Sequence, residues 1–289
     1  MVPSPRAART MLGSVLSTAL AIAGLDPSGG AGLAADLRSF EAAGVWGAAV
    51  CAALTVQSTR GVRAVRAVPA ALVLDQAREV LADARVRAVK TGALGSAANA
   101  RAVAALLREH PRLPSVVDPV MLPSRRAGPG APLHGSALAP LRALALAATL
   151  VTPNLAEAAA LLGQPVSARE ARDAAVALVE AGARAALVKG GHGGGAESVD
   201  WLALAGRAVR VVRVARPRRR TPPLHGTGCA LASLVAGRLA ARGGARPEQI
   251  VEAVRWARAR LDRALAAPLV TGAGLAVLCV TRTQFTTSR

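Results

Sequence analysis

The sequence predicts an α/β fold of three αβα layers around a mostly parallel central sheet. Three observations predict it. Short apolar runs of strand type alternate with amphipathic stretches of helical length; several of those runs are hydrophobic throughout, as in strands covered on both faces; and glycine-rich turns repeatedly follow them. With 289 residues, 52% hydrophobic and 18% charged, the chain can bury a large core, and disordered or collagen-like classes are excluded.

The first strand is Val15 to Ala23, carrying β-branched Val15, Thr18 and Ile22 and running into the loop Asp26-Pro27-Ser28-Gly29-Gly30. Arg6 and Arg9 ahead of it imitate the start of a signal peptide, but a loop signal stands where a cleavage site would be, so the segment reads as a strand and the protein as cytoplasmic. Residues 1–14 read as a disordered basic tail. Further strands are expected at Ala48 to Val56, Val86 to Thr91, Ser115 to Asp118, Thr149 to Thr152 and Ala185 to Lys189. Helices are expected at Gly32 to Ala43, Ala70 to Ala82, Ser96 to His110, Leu155 to Leu162 and Ala168 to Ala181. Asn154 with Glu157, and Ser167 with Glu170, have capping-box spacing, and Gly44 and Gly163 sit where helices stop. Pro123 to Pro132 reads as a mobile loop, and Val199 to Val214 alternates like an edge hairpin. No linker divides the chain, so one domain over residues 15–268 is expected, followed by a divergent tail at 269–289.

Composition narrows the function. The net charge of +19 invites a nucleic-acid partner, but only Lys90 and Lys189 are lysines, arginine enrichment accompanies enrichment in Ala, Gly and Pro, and aromatics are 2% with no Tyr. Stacking platforms for single strands are thus nearly missing, and the reading is no nucleic acid. The longest candidate for a membrane span, Ala42 to Thr59, is interrupted by glycines and ends in Gln57-Ser58-Thr59, so no membrane is expected either. Three cysteines, at 51, 229 and 279, have neither disulfide-framework nor zinc spacing.

The chemistry-bearing segments lie at strand ends. His225-Gly226-Thr227-Gly228-Cys229 precedes an apolar helical run, so glycine-freed N–H groups converge at a helix N-terminus and build an anion hole. A cysteine in that first turn is expected to have its pKa lowered from ~8.5 into about 3.5–7.5 and to act as a base on a hydroxyl; a small buried packing residue is the alternative. Asp26 to Gly32 follows the first strand, where small ligands bind in open sheets, with Asp36 one turn into the next helix as an acceptor; it matches neither nucleotide glycine-loop motif. Asp118 ends a strand where a carboxylate reaches Mg²⁺ or a phosphate-bound water. Asn154 and Glu157 extend that cluster or merely cap a helix. Lys189 ends another strand beside Gly190 and Gly191 and suits a phosphate.

In order along the chain, AIAGLDPSGGAGLAADL (21–37), ALTVQSTRGV (53–62), VKTGAL (89–94), VVDPVM (116–121), VTPNLAEAAALLG (151–163), ALVKGGH (186–192) and HGTGCALA (225–232) resemble the hydroxymethylpyrimidine/phosphomethylpyrimidine kinases of thiamin biosynthesis, in the ribokinase-like superfamily. The resemblance implies ATP- and Mg²⁺-dependent phosphorylation of the hydroxymethyl group of 4-amino-5-hydroxymethyl-2-methylpyrimidine, then of its monophosphate. It implies substrate contacts from Gly24, Ala31, Asp36, Gln57 and Ala93, with Asp36 and Gln57 reading the ring nitrogen and amino group. Cys229 becomes the base, with Gly226, Thr227 and Gly228 around the developing charge. Lys189, Asn154 and Thr227 meet the nucleotide phosphates, Asp118 and Glu157 organise Mg²⁺, and a homodimer is common. The departures are Leu122-Pro123-Ser124-Arg125-Arg126 in place of an Ala-x-Ser-Gly lid, Ala93 for a usual methionine, Pro223-Leu224 for Asn-Thr, Ala230 for Thr, and a 270–289 end without the closing glycine pattern. A pyridoxal kinase, or a homologue that binds the pyrimidine without transfer, are the alternatives.

Overall fold

The computed structural model describes residues 15–121, 138–190, 195–219 and 221–281. A nine-stranded sheet runs in the order β3-β2-β1-β4-β5-β6-β7-β8-β9. Its strands are β1 Thr18–Leu25, β2 Trp46–Ser58, β3 Gly61–Ala67, β4 Val86–Thr91, β5 Ser115–Val117, β6 Leu150–Val151, β7 Ala185–Val188, β8 Glu197–Leu204 and β9 Arg210–Pro217. The six from β2 to β7 are mutually parallel, while β3 at one edge and β8 and β9 at the other are antiparallel. A two-stranded parallel pair, β10 Leu224–His225 with β11 Ala276–Val277, lies apart from it.

The pleat of β1 sorts the core. Ala19, Ala21 and Ala23 face one apolar layer, with helices α1 Gly32–Ala42, α7 Thr227–Arg242 and α8 Pro247–Leu265. Leu20 and Ile22 face the other, with α2 Ala70–Asp83, α3 Ala97–Glu109, α4 Leu138–Ala147, α5 Leu155–Leu162 and α6 Ala171–Glu180. Alanine on the first face admits α7 close to the sheet, and Gly237 of α7 leaves room for Phe40 and Ala43. A β-carbon at Gly237 would fall 2.8 Å from that of Ala43, so the α1–α7 contact needs the glycine.

Several boundaries differ from the sequence reading. The first strand starts at Thr18, because Val15 and Leu16 are exposed rather than buried. The Ser167–Glu170 pair does not cap: Glu170 accepts from the Ser167 backbone N–H, and α6 starts only at Ala171 with no side-chain cap. Asn154 and Glu157 do form a capping box, at the start of α5. The hairpin at 199–214 is β8–β9, longer at both ends. Strand β3 and helices α4 and α8 have no counterpart in the sequence reading. Residues 269–281, which the sequence sets apart as a tail, pack on the domain. Leu278 and Val280 join the core layer with α7 and α8, and Leu275 and Gly274 donate their N–H groups to Thr59. Residues 1–14, the lid segment from Leu122, the loop 123–132, His192 and residues 282–289 lie outside the described residues.

Candidate active site

The sheet's strand order reverses between β1 and β4, and ligands of open α/β sheets bind outside the carboxyl ends of strands at such a point. A cavity of about 760 Å³ opens there. Its wall includes Gly24, Ala31, Gln57, Ala93, Asp118, Asn154, Glu157, Lys189, Gly226, Thr227, Gly228 and Cys229, twelve of the thirteen residues singled out from sequence.

Asp36 is the thirteenth, and it is elsewhere. It is fully buried, its Oδ1 accepting from Lys90 Nζ at 2.7 Å and from Ser233 Oγ at 2.6 Å. The expectation that Asp36 reads the substrate ring is corrected accordingly. Residue 36 sits on the inner face of α1, where it ties α1 to β4 and α7 beneath the cavity wall. Burial pushes the Asp36 carboxyl up, against the pull of Lys90. Burial alone would lower the Lys90 ammonium, but the carboxylates of Asp36 and Asp118 hold it above the ordinary lysine range.

One end of the cavity is a charged cradle. Gly226 caps α7 with φ of 82°, and a β-carbon there would collide with the Gly30 carbonyl, so a left-handed glycine is required where the helix meets the first loop. Thr227, Gly228 and Cys229 form the first turn, with their N–H groups free of intrahelical partners. Lys189 faces that turn: a β-carbon on Gly228 would lie 3.3 Å from its Nζ and 3.7 Å from Asp118 Oδ2. Lys189 Nζ is 2.9 Å from Asp118 Oδ1 and 3.8 Å from Glu157 Oε2. Burial, with the negative charge of Asp118 adding to it, pushes Glu157 up to about 7 despite Lys189.

Cys229 sits where the helix argument puts it, but its thiol behaves in the opposite way. Desolvation pushes it up to about 12, the carboxylates of Asp118 and Asp36 add to the rise, and Lys90 and the Gly32 backbone N–H only partly oppose them. Burial and these carboxylates thus push the thiol in the direction opposite to the lowering that the helix N-terminus alone suggests. The local helix N-terminus was visible in the sequence; the two carboxylates and the burial come from elements far along the chain.

The other end is apolar with a polar rim, lined by Ala23, Gly24, Ala31, Val62 and Ala93, with Asp26, Thr55, Gln57 and His225 at its edge. Asp26, Thr55 and His225 had no role in the sequence reading. All three lie inside the quoted motifs, but the partnership of Asp26 with His225 spans 199 positions and leaves no local trace. Asp200 and Arg258 also line the cavity, near the phosphate end, where the Gly190 N–H donates to Asp200 Oδ1 at 3.0 Å.

The carboxylate pair Asp118 and Glu157 already holds a cation, the Lys189 ammonium, between them. One or two carboxylates, with the remaining positions left to water and phosphate oxygens, is the donor set Mg²⁺ takes, so these residues fit that ion.

A reversing parallel sheet with an anion hole at a helix N-terminus, met by a lysine and two carboxylates across the cleft, defines a ribokinase-like phosphotransferase. Similarity narrows the class. Residues 26–278 match the family described as phosphomethylpyrimidine kinase. A hydroxymethylpyrimidine/phosphomethylpyrimidine kinase of Rhizobium meliloti is 41% identical over 251 residues, covering 86% of this chain and 90% of that protein. Among solved structures, a phosphomethylpyrimidine kinase from Clostridium difficile superposes with a TM-score of 0.69 at 31% identity, covering 86% of this chain and 98% of the other. An ADP complex of Bacillus subtilis pyridoxal kinase superposes with a TM-score of 0.77 at 27% identity, covering 91% and 96%. The chain belongs to the phosphomethylpyrimidine kinase family. Among the described residues, no helix is long and apolar enough to cross a membrane.

Proposed function

We propose that the protein transfers the γ-phosphoryl group of ATP to the hydroxymethyl oxygen of 4-amino-5-hydroxymethyl-2-methylpyrimidine, and then a second phosphoryl group to the monophosphate, giving the diphosphate used in thiamin biosynthesis. The observation that carries this reading is the two-part cavity. An apolar compartment at Gly24, Ala31 and Ala93 adjoins the first turn of α7, and that turn faces Lys189.

Phosphoryl transfer needs positioning and charge stabilisation more than covalent chemistry. In this reading the N–H groups of Thr227, Gly228 and Cys229 receive the charge that develops on the transferred group, and Lys189 balances the phosphates from the opposite wall. Asp118 and Glu157 would hold Mg²⁺, which supplies charge neutralisation at the phosphate oxygens when bound. Asn154 fixes Glu157 by accepting its backbone N–H at 2.9 Å while Glu157 Oε2 accepts the Asn154 N–H at 2.8 Å. Gln57 meets the ring edge. Cys229 Sγ takes the hydroxymethyl proton in the first transfer only after losing its own, and Lys90 and the Gly32 N–H are the groups that favour the thiolate. A phosphate nucleophile is already ionised, so the second transfer has no need of that base.

The test is ADP release with Mg·ATP and the pyrimidine alcohol, with mass detection of mono- and diphosphate. Both products are expected. In Cys229→Ala the first transfer should fall about 10²–10⁴-fold, the usual worth of a positioned base, and the second by far less. Equal loss in both steps would remove Cys229 from the base role. Ala93 and the likeness to pyridoxal kinase favour one second reading, phosphorylation of pyridoxal, and a higher kcat/KM on pyridoxal would establish it in place of the first.

A further inference from the structure

His225 Nε2 lies 2.8 Å from Asp26 Oδ2 and 2.9 Å from one terminal atom of the Gln57 amide. A ring nitrogen carries either a hydrogen or a lone pair, so it cannot donate to a carboxylate and also accept from an amide N–H. The surroundings of Asp26 decide between them. Its Oδ1 accepts from the Ser28 N–H at 2.9 Å and the Ser28 hydroxyl at 2.7 Å, and its Oδ2 accepts from the Ala31 N–H at 2.9 Å. A carboxyl ringed by donors has no room for its own proton, and these bonds with His225 outweigh burial to hold Asp26 below its ordinary range. His225 Nε2 therefore carries the hydrogen and points it at Asp26. The Gln57 atom beside it has to be an acceptor, the oxygen.

The far end of the amide gives the same answer independently. Thr55 Oγ1 donates its one hydrogen to the Leu25 carbonyl at 2.8 Å and lies 3.2 Å from the other terminal atom of Gln57. With its hydrogen spent, Thr55 Oγ1 can only accept there, so that atom is the nitrogen. Heavy-atom positions do not distinguish the two ends of an amide; the hydrogen-bond accounting does.

We propose that Thr55 and His225, the latter held by Asp26, are specificity-determining positioning residues that lock the Gln57 carboxamide with Oε1 towards His225 and Nε2 towards Thr55. The amide then offers the cavity one fixed donor–acceptor edge. An aminopyrimidine, with an exocyclic N–H donor beside a ring-nitrogen acceptor, complements such an edge. The 4-oxo analogue, a lactam with C=O beside N–H, presents the reverse order and would need the amide rotated. Rotation sets two donors against each other at His225 and two acceptors lacking a hydrogen at Thr55, so the lock rejects the lactam. The inference rests on the proposed pyrimidine kinase reading and adds the device that selects among pyrimidines.

The experiment measures kcat/KM for the 4-amino alcohol and its 4-oxo analogue in the full chain and in Thr55→Val, His225→Phe and His225→Gln. The wild type should prefer the amino compound by about 100-fold or more, as expected of a site built to hydrogen-bond its substrate. Thr55→Val and His225→Phe should each cut that preference at least tenfold, chiefly through KM, whereas His225→Gln, which keeps an N–H donor, should retain most of it. An unchanged preference in Thr55→Val and His225→Phe, or a wild type without preference, overturns the proposal. Thr55→Val is nearly isosteric and keeps the test alive if His225→Phe fails to fold. A wild type that phosphorylates neither compound overturns the kinase reading instead.

Discussion

Lys90 and Lys189 occupy nearly the same local sequence, each at the end of a parallel strand just ahead of glycine, yet the molecule uses them in opposite ways. Lys90 and its partner Asp36 have side chains with 0% exposure, whereas the Lys189 side chain is 14% exposed and faces the cavity between Asp118 and Glu157. Lys90 is sealed into a pair that carries no net charge and ties β4 to α1. Lys189 is left one side open, so its charge is available to a ligand. The difference lies in the partner's address: Asp36 comes from a helix packed under the strand ends, Asp118 from a strand end itself. A lysine in an arginine-rich chain thus marks a position where a slender ammonium is required, but not whether that position touches substrate.

The comparison breaks most readily at Lys90. Lys90→Met strands a buried Asp36, and breaking a buried pair costs about 3–5 kcal/mol, so thermal unfolding should shift down sharply, while Lys90→Met/Asp36→Leu should recover much of the loss. A Lys90→Met protein of unchanged melting temperature but lost activity would erase the contrast. Lys189→Gln should weigh on activity instead: roughly 10²–10³-fold lower kcat/KM for ATP, the usual effect of deleting one oriented charge donor, with a smaller drop in melting than Lys90→Met because Lys189 is partly exposed.

Glu157 sharpens the picture of the open side. Burial pushes its carboxyl up to about 7 in the folded state, from an ordinary 4.5. The folded state thus holds a proton the unfolded chain has released, so the stability contributed by Glu157 is fully present below pH 4.5 and lost as pH rises through about 7. Glu157→Gln keeps the capping acceptor and removes the titration. Without divalent cation, the wild type should lose roughly 1–3 kcal/mol more than this variant between pH 5 and pH 8 in denaturant melts. Cys229 gives a check that reads no stability change at all. In a Cys51→Ser/Cys279→Ser background its alkylation rate should climb about tenfold per pH unit from pH 7 to 10, since only the thiolate reacts. A rate already at plateau by pH 8 would restore the low-pKa thiolate that the helix N-terminus alone suggests.

The residues themselves show what was legible. Continuous apolar runs such as Ala185–Val188 and glycine turns at strand ends are local signals, and they located most of the sheet and eight wall residues of the cavity, whereas Gly24, Ala31, Gln57 and Ala93 came only from the family resemblance. Helix α8 has a regular apolar face with one arginine inside it, Arg258, which is buried and bonded to Ser198 Oγ at 2.6 Å, a pairing across 60 positions that no local pattern reports. Asp36 was misplaced because its partners, Lys90 and Ser233, lie 54 and 197 positions away. The Cys229 thiol was misjudged for the same reason. Periodicity and turn chemistry report on neighbours in sequence, whereas desolvation and buried pairing report on neighbours in space.

The pairing of β10 with β11 bears on how the protein comes off the ribosome. Gln57 and Asp26 emerge early, but His225 is 168 and 199 positions behind them, and Gly274 meets Thr59 across 215. While translation is under way, strands β1 to β7 can assemble as an unfinished sheet whose alanine-lined face still awaits α7 and α8. That intermediate exposes apolar surface and lacks the Gly226–Cys229 wall of the cavity, so a ligand that needs both walls cannot stabilise the chain before α7 has been made.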